Sequence, residues 1–476
     1  MKIKVQLIVC AEDGREEQVQ EVAMVEKPHQ QSEHLCVTLA EAKQLLATLQ
    51  QHLVEQQATA FVAAPAQCDH WGTALGSKGH HTRTFRTLFG TVTLTSPRLY
   101  HCRCQRRQSP TFRPLNALLS EAVAPERLFM ETTWASLVSY GLTAQVLKDF
   151  LPVETTLNAT TIRHHTLKVA QRCEAELGEE QWAFVEGCPA DWETLPIPDG
   201  PLTVGIDGGY VRDWHEKTSP FEVIVGKTIL AFKRDDDQDI PSSKGFGFVQ
   251  TLDETPQRRL FEVLKSQGLQ MNQQLTCLSD GGDTVRDLQL YLSPEAEHLL
   301  DWFHLSMRLT VMPQSAKSLP QTIQDEEETF VLREAVVQEL ERLKWFVWHG
   351  NVYRALQVVE SVEMDLDVAA ATGDGTARKL FKAVEEFHTY IGRNRAFSPN
   401  YGERYRYGER ISTGFVESTV NQVISRRFCK KQQMQWTKRG AHLLVQTRVK
   451  TLQQELGAVF QRWYPDLQLE EEPLAA

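Results

Sequence analysis

Two short segments constrain this chain more than any other feature. LTVGIDGG (202–209) and LTCLSDGG (275–282) each carry an apolar run that ends on an aspartate followed by two glycines. Short aliphatic runs bounded by glycine predict buried strands. An ionised carboxylate at the end of such a strand costs several kcal/mol unless a cation or a full set of donors meets it. Asp207 and Asp280 therefore predict a shared cation site if their strands are neighbours. Hard divalent cations such as Mg²⁺ take oxygen ligands and keep open positions for water and phosphate, which suits phosphoryl transfer.

Around these motifs the pattern predicts strands at 202–207, 221–232, 246–252, 275–279 and 298–303, with helices at 255–267 and 283–291. That order, β-β-β-α-β-α-β, makes an α/β domain with an antiparallel start. A proline-rich linker (187–201) precedes it, and an acidic helical block (320–391, with DEEE at 325–328) interrupts it. Upstream, residues 1–30 alternate around an acidic turn and predict a hairpin. TLAE (38–41) is a capping box, opening a helix with Leu45, Leu46, Leu49 and Leu53 on one face. Residues 68–105 read as a small β module. Residues 126–175 predict three helices: one over Leu128 to Leu137, a turn at Gly141, a short helix to Phe150, and a third capped by Asn158. That is a helix-turn-helix-like unit or a generic helical bundle. The resulting organisation is an N-terminal hairpin and helix (1–60), a β module (61–120), a helical, helix-turn-helix-like region (121–186), a core in two parts (200–318 and 401–455) around a helical insertion (319–400), and a tail (456–476).

Composition narrows the function classes. Hydrophobic residues at 41% and charged residues at 24% are ordinary for a globular protein, and no apolar run approaches the ~20 residues that span a bilayer. MKIKVQLIVC reads as a strand rather than a signal peptide, so the expected location is the cytoplasm. Nine scattered cysteines predict reduced thiols rather than a disulfide scaffold. The net charge of -11 argues against a surface that is basic throughout, yet residues 393–450 carry 13 Lys and Arg against 3 Glu. That segment predicts binding to a polyanion. Within it, 414–440 reads as one helix with Glu417 in its first turn and Arg426, Arg427, Lys430 and Lys431 along a face. Lys438 and Arg439 follow, and Arg163 in the upstream helical region is a further candidate DNA contact. Glu417 is the best candidate for the third carboxylate of a two-metal site; alone, it reads equally as a helix-dipole acid on a solvated helix. Cys68, His70, Cys102 and Cys104 supply zinc-type ligands in two pairs, with His80 and His81 as alternatives and ordinary buried cysteines as the other reading.

Asp207, Asp280 and Glu417, at intervals of 73 and 137 residues in this frame, resemble the RNase H-like DDE transposases of bacterial insertion sequences. DWFH (301–304) matches the D-x-x-H signature of that group. VESTVNQVISRRFCKKQQMQW, GAHLLVQTR and TFRTLFGTVTLTSPRLYHCRC are similar to the ISKra-type members, and the resemblance covers most of residues 68–455. It implies an RNase H-like mixed-sheet core with an all-helical insertion, and two Mg²⁺ (or Mn²⁺) ions on Asp207, Asp280 and Glu417, with Asp301 and His304 as supporting groups. It also implies double-stranded DNA as partner, both terminal inverted repeats and target, bound by a homo-oligomer such as a dimer in a bacterial nucleoid. Two alternatives stand beside it. A sugar-kinase or actin-like ATPase shares paired phosphate loops like IDGG and SDGGD but calls for a later glycine-rich adenosine segment, where only TGDG (372–375) occurs. A domesticated transposase would bind DNA without cutting it.

Overall fold

The N-terminal alternation forms a hairpin of β1 (Lys2–Cys10) and β2 (Glu16–Glu26), paired antiparallel. The capping box then starts α1 (Leu39–Ala63): Thr38 N–H and its hydroxyl donate to Glu41 Oε2 at 2.8 and 2.9 Å, and Glu41 N–H returns a bond to Thr38 Oγ1 at 3.3 Å. Lys27, 2.6 Å away, and the Thr38 donors hold the Glu41 carboxyl at about 2. β3 (Ser77–Thr87), β4 (Gly90–Tyr100) and β5 (Thr111–Phe112) form a three-stranded antiparallel sheet followed by α2 (Leu115–Leu118). Val92 and Leu94 of β4 meet Val54 and Ala58 of α1 in one small core.

Three helices follow: α3 (Pro125–Leu137), α4 (Tyr140–Phe150) and α5 (Ala159–Ala175). The break falls at Ser139, whose hydroxyl accepts from Leu142 N–H, so Gly141 lies inside α4 instead of forming the expected turn. Side-chain capping outweighs glycine's small helix penalty there. Asn158 caps α5 as expected, accepting from Thr160 and Thr161 N–H at 2.9 and 3.1 Å.

The structure is a computed structural model that describes residues 1–10, 16–27, 35–63, 67, 68, 70–102, 104, 110–196, 200–229, 243–282, 288, 292, 293, 295–325, 328–371, 373–429 and 435–469. It divides into two units, Met1–Arg172 with Lys450–Ala476, and Cys173–Val449. The expected helix at 283–291 lies almost wholly outside the described residues.

The second unit is α/β. After α6 (Pro189–Trp192) come β6 (Leu202–Val211), β7 (Phe221–Ile229), β8 (Ser243–Val249), α7 (Pro256–Ser266), β9 (Leu275–Ser279) and β10 (Glu297–Leu300). They make a five-stranded mixed sheet in the order β10-β9-β6-β7-β8. β6, β7 and β8 are antiparallel neighbours, whereas β9 and β10 run parallel to β6. β6 sits at the centre, so it is apolar on both faces, as parallel neighbours require. Leu202, Val204 and Ile206 pack with Leu260 and Leu264 of α7. β10 ends at Leu300, before the expected 303, because Asp301 caps α8 (Trp302–Ala316) by accepting from Phe303 N–H at 2.9 Å.

A small hairpin, β11 (Thr322–Asp325) and β12 (Glu328–Val331), leads into α9 (Leu332–Trp348), α10 (Val352–Ala371) and α11 (Gly375–Arg393). Their buried positions follow helical spacing: Leu332, Val336, Leu340, Leu343 and Val347 on α9; Ala377, Leu380, Val384, Phe387 and Ile391 on α11. These stripes close with α8 into one helical core. α12 (Tyr401–Arg406) and α13 (Gly414–Val420) return the chain to the sheet. A π-helix (Asn421–Cys429) and α14 (Lys438–Leu452) complete the unit before α15 (Leu456–Trp463) joins the first. The single helix expected over 414–440 is thus replaced by α13, a π-turn segment and a new helix. No described helix is long and apolar enough to cross a membrane.

Gly205 decides how closely α13 sits. A Cβ there would overlap Val416 and come within 2.7 Å of Phe415. Gly205→Ala is expected to cost about 1–3 kcal/mol by overpacking. It should also push α13 away from β6, and denaturant midpoints of the variant against wild type measure the loss.

Candidate active site and metal centres

The register across the sheet aligns the two motifs. β6 pairs with β9 as Leu202 with Leu275, Val204 with Cys277 and Gly205 with Leu278, a constant offset of 73 that carries Asp207 opposite Asp280. β10 pairs with β9 as Glu297 with Thr276 and Leu300 with Ser279, so the next position, Asp301, falls beside Asp280, and Asp301 N–H continues the ladder to Ser279 O at 2.9 Å. Three aspartates therefore stand on one level: Asp280 and Asp301 just past the ends of β9 and β10, and Asp207 inside β6, which pairs with β7 as far as Val211 and so outruns the expected end at 207.

Their environments differ. Asp207 accepts from Gly208 N–H at 2.7 Å; burial raises its carboxyl above the usual range, Asp280 and Asp301 add repulsion, and His304 opposes them. Asp280 is exposed and accepts from Gly282 N–H at 3.1 Å. Asp301 is fully buried and its oxygens are engaged, Oδ1 by Phe303 and Thr413 N–H at 2.9 Å each, Oδ2 by the Thr413 hydroxyl and by His304 Nδ1 at 2.8 Å. It is a positioning residue, tying the start of α8 to the start of α13 and orienting His304. The Asp301 hydrogen bond raises the His304 imidazole pKa against the opposing effect of burial, and Asp207 and Asp280 raise it further.

Glu417 is exposed on α13, one helical turn beyond Thr413, to whose carbonyl its N–H donates at 3.1 Å. That turn places it along the edge that Asp301 anchors. Asp207, Asp280 and Glu417 are not among the groups whose ligand atoms all approach within 4.8 Å of one another.

A fourth carboxylate, Glu222 on β7, went unread in the sequence. A Cβ at Gly208 would overlap its Oε1, so the glycine after Asp207 makes the cradle in which Glu222 lies. Burial raises the Glu222 carboxyl, with Asp280 and Asp207 adding to the effect. The signal was present as a lone acid in the apolar strand FEVIVG. The glycines thus leave room for acids around Asp207 and Asp280, and an all-oxygen donor set fits a hard divalent cation.

The basic residues are dispersed. Arg426 and Arg439 are exposed and Lys438 is half-buried, while Lys430 and Lys431 lie outside the described residues. Arg427 is 3% exposed, with its guanidinium 5.1 Å from the Trp436 ring centroid. It therefore leaves the expected outer face, because the π-helix has a wider turn than the α-helix on which that face was drawn. Arg163 is exposed near the start of α5 in the first unit.

Among the described residues, two side-chain clusters could hold a metal. Cys68, Cys102 and Cys104 bring their sulfurs within 4.8 Å of one another, Cys68 and Cys104 being 3.3 Å apart. His70 does not join them: the tight turn after Cys68 leaves its side chain exposed, while its backbone N–H donates to the Cys68 sulfur. Burial works against a Cys68 thiolate, but those donors and the neighbouring thiols bring its pKa below the usual thiol value, and Cys68 and Cys102 in turn push Cys104 up to about 12. Three thiols fit a tetrahedral zinc with one further position. Purified protein is expected to carry zinc in elemental analysis and Cys68→Ser to lose it; a zinc-free wild type would make these ordinary core cysteines.

The second cluster, Glu174, Asp253 and His442, already surrounds a cation. The buried Arg259 guanidinium donates to Glu174 at 2.9 Å, to Asp253 at 2.9 and 3.1 Å, and to Gln446 at 2.8 Å. His442 and Gln446 belong to the GAHLLVQTR motif, which here builds a polar lock behind the sheet. Comparison with protein-family models and with curated proteins finds no match for this chain.

Proposed function

We propose that the chain is a DDE transposase with an RNase H-like core, cutting and joining DNA at the ends of an insertion sequence. The observation that carries this reading is the register of adjacent strands β6 and β9, whose offset, continued two positions past Gly205 and Leu278, sets Asp207 level with Asp280. The sheet, three antiparallel strands and then two parallel to the first, supports it, as do the helices inserted before Glu417.

Asp207, Asp280 and Glu417 would hold two Mg²⁺ or Mn²⁺ ions, which supply Lewis acidity and a nucleophilic water or 3′-hydroxyl of lowered pKa. Asp207, level with Asp280, would present its carboxylate to the scissile phosphate, with Glu222 packed into the space that Gly208 leaves. His304, fixed through Nδ1 by Asp301, keeps Nε2 for a phosphate or leaving oxygen, and its raised pKa favours the protonated, donating form. Helices α3 to α5, with Arg163, would serve as the helix-turn-helix-like DNA-binding region, and Arg426, Lys438 and Arg439 would contact phosphates. The three-thiol centre would hold structural zinc, and pairing of two ends calls for a dimer on DNA.

The test is incubation of the protein with duplexes carrying the flanking element ends, with and without Mg²⁺ or Mn²⁺. Metal-dependent nicking that leaves a 3′-hydroxyl is expected. Tight binding without cleavage under any metal would instead select the non-cutting DNA-binding reading.

A further inference from the structure

A groove of about 870 Å³ opens beside Asp280, between α8 and α11. Its size lies in the ~300–1,000 Å³ range of pockets that enclose a ligand of nucleotide scale. Arg308 of α8 and Arg393 of α11 line it, with Tyr390 between them in the wall and Glu385 and Glu386 along α11. The wall is built rather than incidental. The Tyr390 hydroxyl donates to the Asp280 carbonyl at 2.9 Å, and the Arg308 guanidinium lies 4.6 Å from the Tyr390 ring centroid. Gly281 has φ +84°, and a Cβ there would come within 2.6 Å of Asn394 Oδ1, so the turn after Asp280 is moulded to this helix. Arg308 follows His304 by one helical turn and so shares its face of α8.

A strand whose scissile phosphate sits at the aspartates has to continue past them, and its next phosphate needs donors of its own. Guanidinium groups beside the site supply them, since their planar donors match phosphate oxygens two at a time. We propose that this groove seats the nucleotide adjoining the cleaved phosphodiester, with its phosphate on Arg308 and Arg393. The inference rests on the DNA-cleavage reading of the aspartates and adds to it where the strand runs. Glu385 and Glu386 oppose the phosphate from the same helix and confine it to the arginine side.

The test uses the full-length protein and end duplexes that stop at the cleaved bond or extend past it on either side, with binding read by fluorescence anisotropy in Ca²⁺. For wild type, the extension that enters the groove should tighten binding by about tenfold, the factor expected for charge-assisted contacts. Arg308→Ala/Arg393→Ala should lose that gain and still bind the shorter duplex as wild type does. Glu385→Gln/Glu386→Gln should move the other way and bind the extended duplex more tightly, which a misfolded protein cannot do. If wild type cleaves DNA while the arginine variant keeps the full gain, the groove assignment is overturned and the cleavage reading stands. If wild type neither binds nor cleaves any duplex, both fall.

Discussion

Asp207→Asn and Asp280→Asn are each expected to lower Mg²⁺-dependent strand cleavage by about 10³-fold or more, because metal charge worth several kcal/mol of transition-state stabilisation is lost. DNA affinity should change little, since the basic surface is untouched. The two substitutions should also be far from additive: once either carboxylate is gone the paired site no longer exists. Asp301→Asn separates chemistry from positioning. Its buried oxygens accept from Thr413 and His304 rather than facing the groove, so its loss should loosen α13 and lower the His304 pKa, moving the alkaline limb of the pH–rate profile to lower pH. Cleavage that persists at wild-type rates in Asp207→Asn would refute the assignment, and binding lost in parallel with cleavage would indicate misfolding.

Arg259→Leu is expected to destabilise the second unit by about 3–5 kcal/mol, because Glu174 and Asp253 would remain buried without their cation. For a unit of this size that corresponds to a fall in Tm on the order of 10 °C. Replacing Arg259, Glu174 and Asp253 together by apolar residues should recover much of the loss, since no charge is then left uncompensated. The pH dependence carries the same signature. Burial by itself raises the Glu174 carboxyl, but His442 and Arg259 outweigh it and hold the folded value at about 2. The unfolded chain titrates near the ordinary ~4.3, so this stabilisation is fully present above about pH 4.3 and is lost as the pH falls through about 2. In Arg259→Leu, His442 opposes burial without the guanidinium's help, the carboxyl shifts upward, and acid unfolding should begin at higher pH. Denaturant midpoints measured from pH 2 to 7 test this; identical profiles for the two proteins would show that the network contributes nothing.

Much of this protein was legible in order and spacing. The capping box at Thr38 and Glu41, the Asn158 cap, the stripes of α9 and α11 and the apolar runs of β6 and β9 depend on residues within a turn or a strand of one another. Periodicity reports such features directly. The 73-residue interval between Asp207 and Asp280 became a structural statement only through the strand register, yet both aspartates could be singled out beforehand, although β6 runs past Asp207 instead of ending there. Cys68, Cys102 and Cys104 were likewise chosen by residue type alone, and the turn after Cys68 decided against His70.

Other features came from tertiary packing. Whether Arg427 faces solvent depends on a π-turn that places it over Trp436, and side-chain identity alone does not specify that widening. Asp301 reads only as a supporting group near the site, and its partner Thr413, 112 positions away, is supplied by packing. Glu222 reaches the site because β7 folds back on β6 where Gly208 lacks a Cβ, and Arg259 becomes a buried cation only when Gln446, 187 positions on, packs behind the sheet. Local pattern therefore determined most of the strands and helices and which acids follow the apolar runs. The partners of each charge were decided by the sheet order and the insertion, because charges from distant segments compensate one another only after packing has brought them out of water together.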